Sequence, residues 1–209
     1  METTNKNYSP ADSWTEVILI YSSALKQIST KLEILNDEFQ HVHSYNPIEH
    51  IKSRIKSSES IVKKLKKYGY ESTIENMVEY VNDIAGIRVI CSFTSDIYKI
   101  ASMIRNQNDL KIITIKDYIK NPKPSGYKSY HMLVEVPIYL SDRIVHAKVE
   151  VQIRTVAMDF WATLEHKINY KFEGRVPQNI KDELVESSHM ISDLDAKMLN
   201  LNEQLRDSN

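Results

Sequence analysis

Apolar residues recur at Val17, Ile20, Tyr21, Ala24, Leu25, Ile28, Leu32 and Leu35. Gaps of three and four residues place them on one stripe, which predicts an amphipathic helix from Asp12 to about Phe39. Residues 1–11 ahead of it are polar and are expected to be disordered. Asn46-Pro47-Ile48-Glu49 has the residue types of a helix start: a capping asparagine, a proline at the first position and a glutamate at the third. It predicts a helix to about Tyr68 that stops at Gly69, with Ile51, Ile55, Ile61, Val62 and Leu65 on the buried side. Ser72 and Glu75 make a similar start for a helix ending near Asn82.

Beyond Asn82 the period shortens. Ala85–Phe93 and Lys111–Lys116 read as strands, with a helix over Asp96–Asn106 between them. Tyr130–Pro137 and Ala147–Arg154 read as antiparallel strands joined through Ser141-Asp142-Arg143. Thr155 caps a predicted helix that runs through Trp161 and Leu164 to about Phe172 and ends at Gly174. Pro177 and Gln178 open a last segment with apolar positions Leu184, Ile191, Leu194, Met198 and Leu201; it is polar elsewhere, so the stripe needs a partner surface. The sum is an α/β (α+β) fold, a mixed β-sheet flanked by helices. We expect an N-terminal helical extension over 1–44, a central domain over 45–174 and a C-terminal helical extension over 175–209.

Length and composition narrow the class. A chain of 209 residues, 42% hydrophobic and 26% charged, suits one ordinary globular domain with helical appendages. A formal net charge of −1 gives no bulk attraction to nucleic acid or an anionic membrane, so polyanion recognition must rest on local clusters of lysine and arginine. The one cysteine, Cys91, excludes an internal disulfide framework, and its apolar run reads as a buried thiol. With no stretch apolar enough to span a bilayer and no secretory signal at the N-terminus, the expected location is cytoplasmic.

Candidate chemistry concentrates between Lys120 and Arg154. The loop Lys120-Asn-Pro-Lys-Pro-Ser-Gly-Tyr-Lys-Ser-Tyr-His131 brings Lys123, Lys128 and His131 beside Tyr127, and two prolines and one glycine give it shape. Tyr127 follows Gly126, which allows close backbone approach and leaves the ring available for stacking; the alternative is a ring folded onto the loop's own core. In the strand after it, a two-residue period puts Lys148, Glu150, Gln152 and Arg154 on one face and Val149, Val151 and Ile153 on the other. Ser129, His131 and Glu135 share a face of the neighbouring strand, so the two strands build one polar surface. Asp83 stands where a predicted helix gives way to an apolar run. Facing a second acid such as Glu150, it would hold Mg²⁺ against phosphate oxygens; a turn or capping aspartate is the other reading. Arg88 lies within that apolar run and must be paired, stacked or at a sheet edge. Arg54 and Lys56 can reach one edge of a cleft, though Arg54, Lys56, Ser60 and Lys67 share no tight helical stripe. Cations for phosphates, an aromatic for a base and carboxylates for a metal or a proton are the chemistry of a nucleotide site.

Four ordered blocks carry a resemblance: Arg54-Ile-Lys56, Asp83-Ile-Ala-Gly-Ile-Arg88, Lys116-Asp-Tyr-Ile119 with the Gly-Tyr-Lys-Ser-Tyr-His loop, and Glu150-Val-Gln-Ile-Arg-Thr155. From about Tyr45 to Gly174 the chain resembles the RelA/SpoT alarmone synthetase family, in particular its small single-domain members. The resemblance implies pyrophosphoryl transfer from ATP to the ribose 3′-OH of GDP or GTP, releasing AMP, with no hydrolase activity. It implies Asp83 and Glu150 as catalytic and Mg²⁺-binding acids, and Arg54, Lys56, Ser60, Lys67 and Arg88 on the ATP side. Lys116, Lys123, Ser125, Tyr127, Lys128, His131 and Gln152 fall on the GDP/GTP side. It further implies a homotetramer and a possible RNA or nucleotide effector, with apolar stripes on both terminal helices to spare for assembly. The loop departs from the family's usual Asn-Gly-Tyr-Arg-Ser-Leu-His at Ser125, Lys128 and Tyr130, and Lys128 lacks an arginine's bidentate fork. Two other readings are a module that binds guanosine nucleotides or single-stranded RNA without turnover, and a nucleotidyltransferase that releases pyrophosphate.

Overall fold

The stripe predicted for the first helix is buried. The computed structural model describes residues 14–172 and 175–207, so the expectations for residues 1–11 and for a stop at Gly174 fall outside the described residues. Helix α1 (Trp14–Val42) buries Val17, Ile20, Tyr21, Ala24, Leu25, Ile28, Leu32 and Phe39, with Leu35 partly buried against the same core. It lies across a five-stranded sheet of β1 (Ile48–Ile55), β2 (Ala85–Cys91), β3 (Lys111–Asp117), β4 (Tyr130–Tyr139) and β5 (Ile144–Thr155). Because the sheet covers the stripe of α1, that helix has none to spare, contrary to the expectation for both terminal helices.

The strand order is β1-β2-β5-β4-β3. β2 and β5 pair in parallel and every other neighbour is antiparallel. β4 and β5 form the expected hairpin through Ser141-Asp142-Arg143. Core-facing residues alternate along them: Met132, Val134 and Val136 on β4, and Val149, Val151 and Ile153 on β5. Helix α4 (Thr94–Arg105) seals this face with Ile97, Ile100 and Ile104.

The largest departure from expectation is residues 48–55, which form a strand rather than the start of a helix. Ile48, Ile51 and Ile55 have helix-like spacing, but a register shift between Ile48 and His50 adds a residue to β1, so a period of two resumes from Ile51. Ile51 and Ile55 then pair with Val89 and Ala85 on the core side, while Lys52 and Arg54 pair with Arg88 and Gly86 on the polar side. The helix begins later, as α2 (Ser58–Tyr68), capped by Ser57 and ended at Gly69 with φ 81°. Helix α3 (Ile74–Tyr80) is capped by Thr73, one residue beyond the Ser72 expected. Helices α5 (Val156–Lys171, capped by Thr155) and α6 (Gln178–Asp207) complete the chain and pack on each other.

Candidate active site

Register lines up the polar face of the sheet. Lys52, Arg88, Gln152, His131 and Lys116 stand opposite one another in turn across β1, β2, β5, β4 and β3. The next row is Arg54, Gly86, Glu150 and Leu133. At the β1–β2–β5 end these rows line a cleft of about 210 Å³ formed by Lys52, Ser53, Arg54, Asp83, Gly86, Ile87, Arg88, Glu150 and Gln152. Gly86 contributes its lack of a side chain: a Cβ there would meet only the Glu150 carbonyl oxygen, at 3.9 Å. A larger cavity, about 710 Å³, lies between α1, α3 and the β4–β5 hairpin, over Val17, Ile20 and Tyr21. Two acids and two arginines converge in the smaller cleft, which is why we place the chemistry there.

Asp83 sits between two ammonium groups, with Lys56 Nζ and Lys64 Nζ each 2.8 Å from one of its carboxylate oxygens. Burial pushes the Asp83 carboxyl up, but the two lysines outweigh it and the group is held below the usual carboxylate range. Lys64 is partly buried on α2, and spacing alone does not set it apart from the lysines beside it. Ser60 and Lys67 are exposed on the same helix and do not line the cleft.

Glu150 belongs to a closed ring of side chains. Gln152 Nε2 lies 2.7 Å from Glu150 Oε2, and Gln152 Oε1 lies 2.9 Å from an Arg154 NH2 that is 2.5 Å from the Tyr127 hydroxyl. That hydroxyl is 2.8 Å from His131 Nε2, and His131 Nδ1 is 3.3 Å from Glu150 Oε1. An arginine only donates and an ionised carboxylate only accepts, which sets the direction of the bonds at Arg154 and Glu150. Arg154 donates to Tyr127 and Gln152, Gln152 and His131 Nδ1–H donate to Glu150, and the pair of Tyr127 hydroxyl and His131 Nε2 closes the ring. Burial raises the Glu150 carboxyl, yet the bonds from His131 and Gln152 outweigh it and hold Glu150 ionised.

Arg154 is only 4% exposed, although its register put it on the polar face with Glu150. Its Nε reaches Ser129 Oγ at 3.3 Å, and its NH1 shares Asp159 Oδ1, 3.1 Å away, with Arg88 NH1, 2.9 Å away. Pairing with Asp159, rather than an edge position, therefore accommodates Arg88 in an interior strand. Burial and the neighbouring Arg154 guanidinium lower the Arg88 pKa. Its Nε is the one buried side-chain nitrogen or oxygen among the described residues that has no hydrogen-bond partner. Neither Asp159 nor the anchoring role of Arg154 was legible from spacing, because both depend on how α5 turns back onto β5.

Tyr127 is half-buried rather than openly available. Its ring meets Tyr118 and His131 edge-on, and Lys123 Nζ lies 4.6 Å from its centroid. Burial raises its hydroxyl pKa. Lys128 turns away from the cleft and donates to Ser192 on α6, whose Ser188 donates to the Gly126 carbonyl oxygen. Ser125 and Lys116 are exposed.

Residues 53–175 match the family described as a region found in RelA / SpoT proteins. The chain is 47% identical to GTP pyrophosphokinase YwaC of Bacillus subtilis (strain 168), covering 93% of this chain and 92% of that one. Its fold is similar to the crystal structure of small alarmone synthetase 2 from Bacillus subtilis, with a TM-score of 0.84 and 46% identity over 91% of this chain and 98% of that chain. It is also similar to small alarmone synthetase 1 from Bacillus subtilis bound to its product pppGpp, with a TM-score of 0.85 and 34% identity over 91% and 97% of the two chains. With the matched region spanning Arg54, Arg88, Tyr127 and Glu150, the chain belongs to the RelA/SpoT family.

Proposed function

We infer that the chain is a GTP pyrophosphokinase that makes the alarmones ppGpp and pppGpp. It transfers the β,γ-pyrophosphoryl group of ATP to the ribose 3′-OH of GDP or GTP and releases AMP. The observation that carries the reading is the convergence of Asp83, Glu150, Arg54 and Arg88 on one cleft. In the transfer, the 3′-oxygen attacks the β-phosphorus, the bond from that phosphorus to the α,β-bridging oxygen breaks, and AMP leaves. Such a reaction asks mainly for alignment and charge neutralisation. Glu150, held ionised by His131 and Gln152, accepts the 3′-OH proton or orients it. Arg54 and Arg88 offer planar cations to adenine, and Lys56 and Lys64 bring positive charge for the triphosphate. Tyr127, Lys123, His131 and Gln152 receive the guanosine nucleotide, with Lys116 at the rim.

The donor set fits Mg²⁺. Asp83 and Glu150 are two ionised oxygen donors on one cleft, and among the described residues no group of three or more acids, histidines or cysteines forms a metal cage. Mg²⁺ is commonly bound in this way, through one or two carboxylates together with substrate phosphates and water. When bound it neutralises charge on the donor phosphates.

Assembly as a homotetramer is part of the reading and rests on α6. Met190, Leu194, Met198 and Leu201 of that helix are 61%, 50%, 48% and 45% exposed. A cytoplasmic location and a role in the stringent response go with alarmone synthesis, and no helix among the described residues is long and apolar enough to cross a membrane.

Anion-exchange analysis of protein with Mg²⁺, ATP and GDP or GTP tests the reaction. AMP should appear in step with a more highly phosphorylated guanosine nucleotide, and Glu150→Gln should slow it by roughly 10²–10⁴-fold. Nucleotide binding without AMP would leave a binding module, and pyrophosphate release would point to a nucleotidyltransferase.

A further inference from the structure

We propose that Asp159 is a positioning residue that couples the two nucleotide pockets, because one of its carboxylate oxygens holds the donor-side Arg88 and the acceptor-side Arg154 together. The proposal rests on the synthetase reading above, which assigns Arg88 to ATP and Tyr127 to the guanosine nucleotide. Asp159 lies in the first turn of α5, just past the Thr155 cap, where the chain turns back from β5. From there its Oδ1 reaches Arg88 NH1 at 2.9 Å and Arg154 NH1 at 3.1 Å. Arg88 lines the cleft, whereas Arg154 does not and reaches Tyr127 and Gln152.

Two guanidinium charges on one carboxylate leave one positive charge in surplus, and the two cations repel each other. A donor nucleotide whose adenine stacks on Arg88 draws that guanidinium toward the cleft, and its triphosphate brings negative charge nearby, so the shared oxygen is freed for Arg154. With the Asp159 oxygen to itself, Arg154 keeps the Tyr127 hydroxyl and the Gln152 amide in place, and through Gln152 it keeps Glu150 in place. Filling the donor pocket thus sets the acceptor pocket, and linkage requires the converse. The partnerless Nε of Arg88 marks the donor-facing end of the device as the one still short of an acceptor.

The test is equilibrium binding of α,β-methylene-ATP with Mg²⁺, with and without saturating GDP, and the reciprocal titration. In the native chain each nucleotide should tighten the other by about fivefold or more. Asp159→Asn weakens the hold on both guanidiniums, and Arg154→Lys loses the fork that reaches Asp159, Tyr127 and Gln152 together. Both should bring the coupling factor to within about twofold of one, in proteins whose thermal midpoints show them folded. A merely structural role would change the affinities without changing their ratio. Undiminished coupling in a folded variant, or independent binding by the native chain, would overturn the proposal. Coupled binding by a native chain that forms no AMP would uphold the coupling and overturn the synthetase reading instead.

Discussion

Ser188 on α6 donates its hydroxyl to the carbonyl oxygen of Gly126, so α6 holds the loop that leads into β4. Two further contacts extend this hold: Lys128 donates to Ser192, and Thr155 Oγ1 lies 2.6 Å from Asp195 Oδ2. Ser188, Ser192 and Asp195 are spaced by four and three residues and share one face of α6. Met190, Leu194, Met198 and Leu201, spaced by four, four and three, start two residues on, about 200° around the helix. One helix therefore supports the loop with one face and exposes apolar side chains on the other.

Gly126 is the position where that support is tightest. Its φ of 86° lies in the left-handed region, and a Cβ there would come within 2.8 Å of Ser188 Cβ. Gly126→Ala is expected to cost about 1–2 kcal/mol for the backbone alone. The loop should yield before the sheet does, so KM for the guanosine nucleotide should rise about tenfold while KM for ATP changes little. Steady-state kinetics with each substrate varied in turn checks the split; an equal rise in both would place the strain elsewhere.

Gly86 gives the opposite case. Its backbone is ordinary for a strand, and an added Cβ would make one ordinary contact, with the Glu150 carbonyl oxygen at 3.9 Å. Gly86→Val should fold with a thermal midpoint within about 3 °C of the parent, since a branched residue suits a strand. The valine would nonetheless project between Arg54 and Glu150, and nucleotide turnover should fall at least tenfold. Retained turnover in the folded variant would mean that the cleft is not the donor site.

Acid stability should report the paired carboxylates. Asp83 and Glu150 both titrate lower in the folded chain than their ordinary values, as partners outweigh burial. A carboxyl with a depressed folded pKa contributes stability above its unfolded pKa and loses it as pH falls through the folded one. The thermal midpoint should hold from neutral pH down to about pH 4 and decline below it. Asp83→Asn leaves Lys56 and Lys64 facing each other and should lower stability at pH 7 by about 1–3 kcal/mol, with a shallower acid limb. Asp195 acts in the other direction: burial raises its carboxyl, so its contribution weakens as pH rises. Thermal melts across pH on the parent and Asp83→Asn decide the matter, and identical acid limbs would exclude Asp83 as a contributor.

The exposed face of α6 makes assembly testable. Leu194→Glu combined with Met198→Glu puts charge on the apolar stripe without touching Ser188, Ser192 or Asp195. Sedimentation equilibrium should then show a smaller species than the parent. A parent that sediments as a monomer would remove the homotetramer from the reading.

Much of this was written in local pattern. The stripe of α1, the alternation of β4 and β5, the Thr155 cap and the grouping of Glu150, Gln152 and Arg154 on one strand face all follow from side-chain period, which is a property of the chain itself. The same period misled at residues 48–55. A register shift, which exists only once β1 pairs with β2, gave a strand the isoleucine spacing of a helix. Tertiary structure also decided which polar residues became partners. Asp159 meets Arg88 across a separation of 71 residues, Lys64 rather than Lys67 meets Asp83, and Ser188 meets Gly126. Sequence named the residue types capable of this chemistry because charge, hydrogen-bonding capacity and shape belong to single side chains. It could not name their pairings, because a hydrogen bond between distant residues is set by how the helices pack on the sheet.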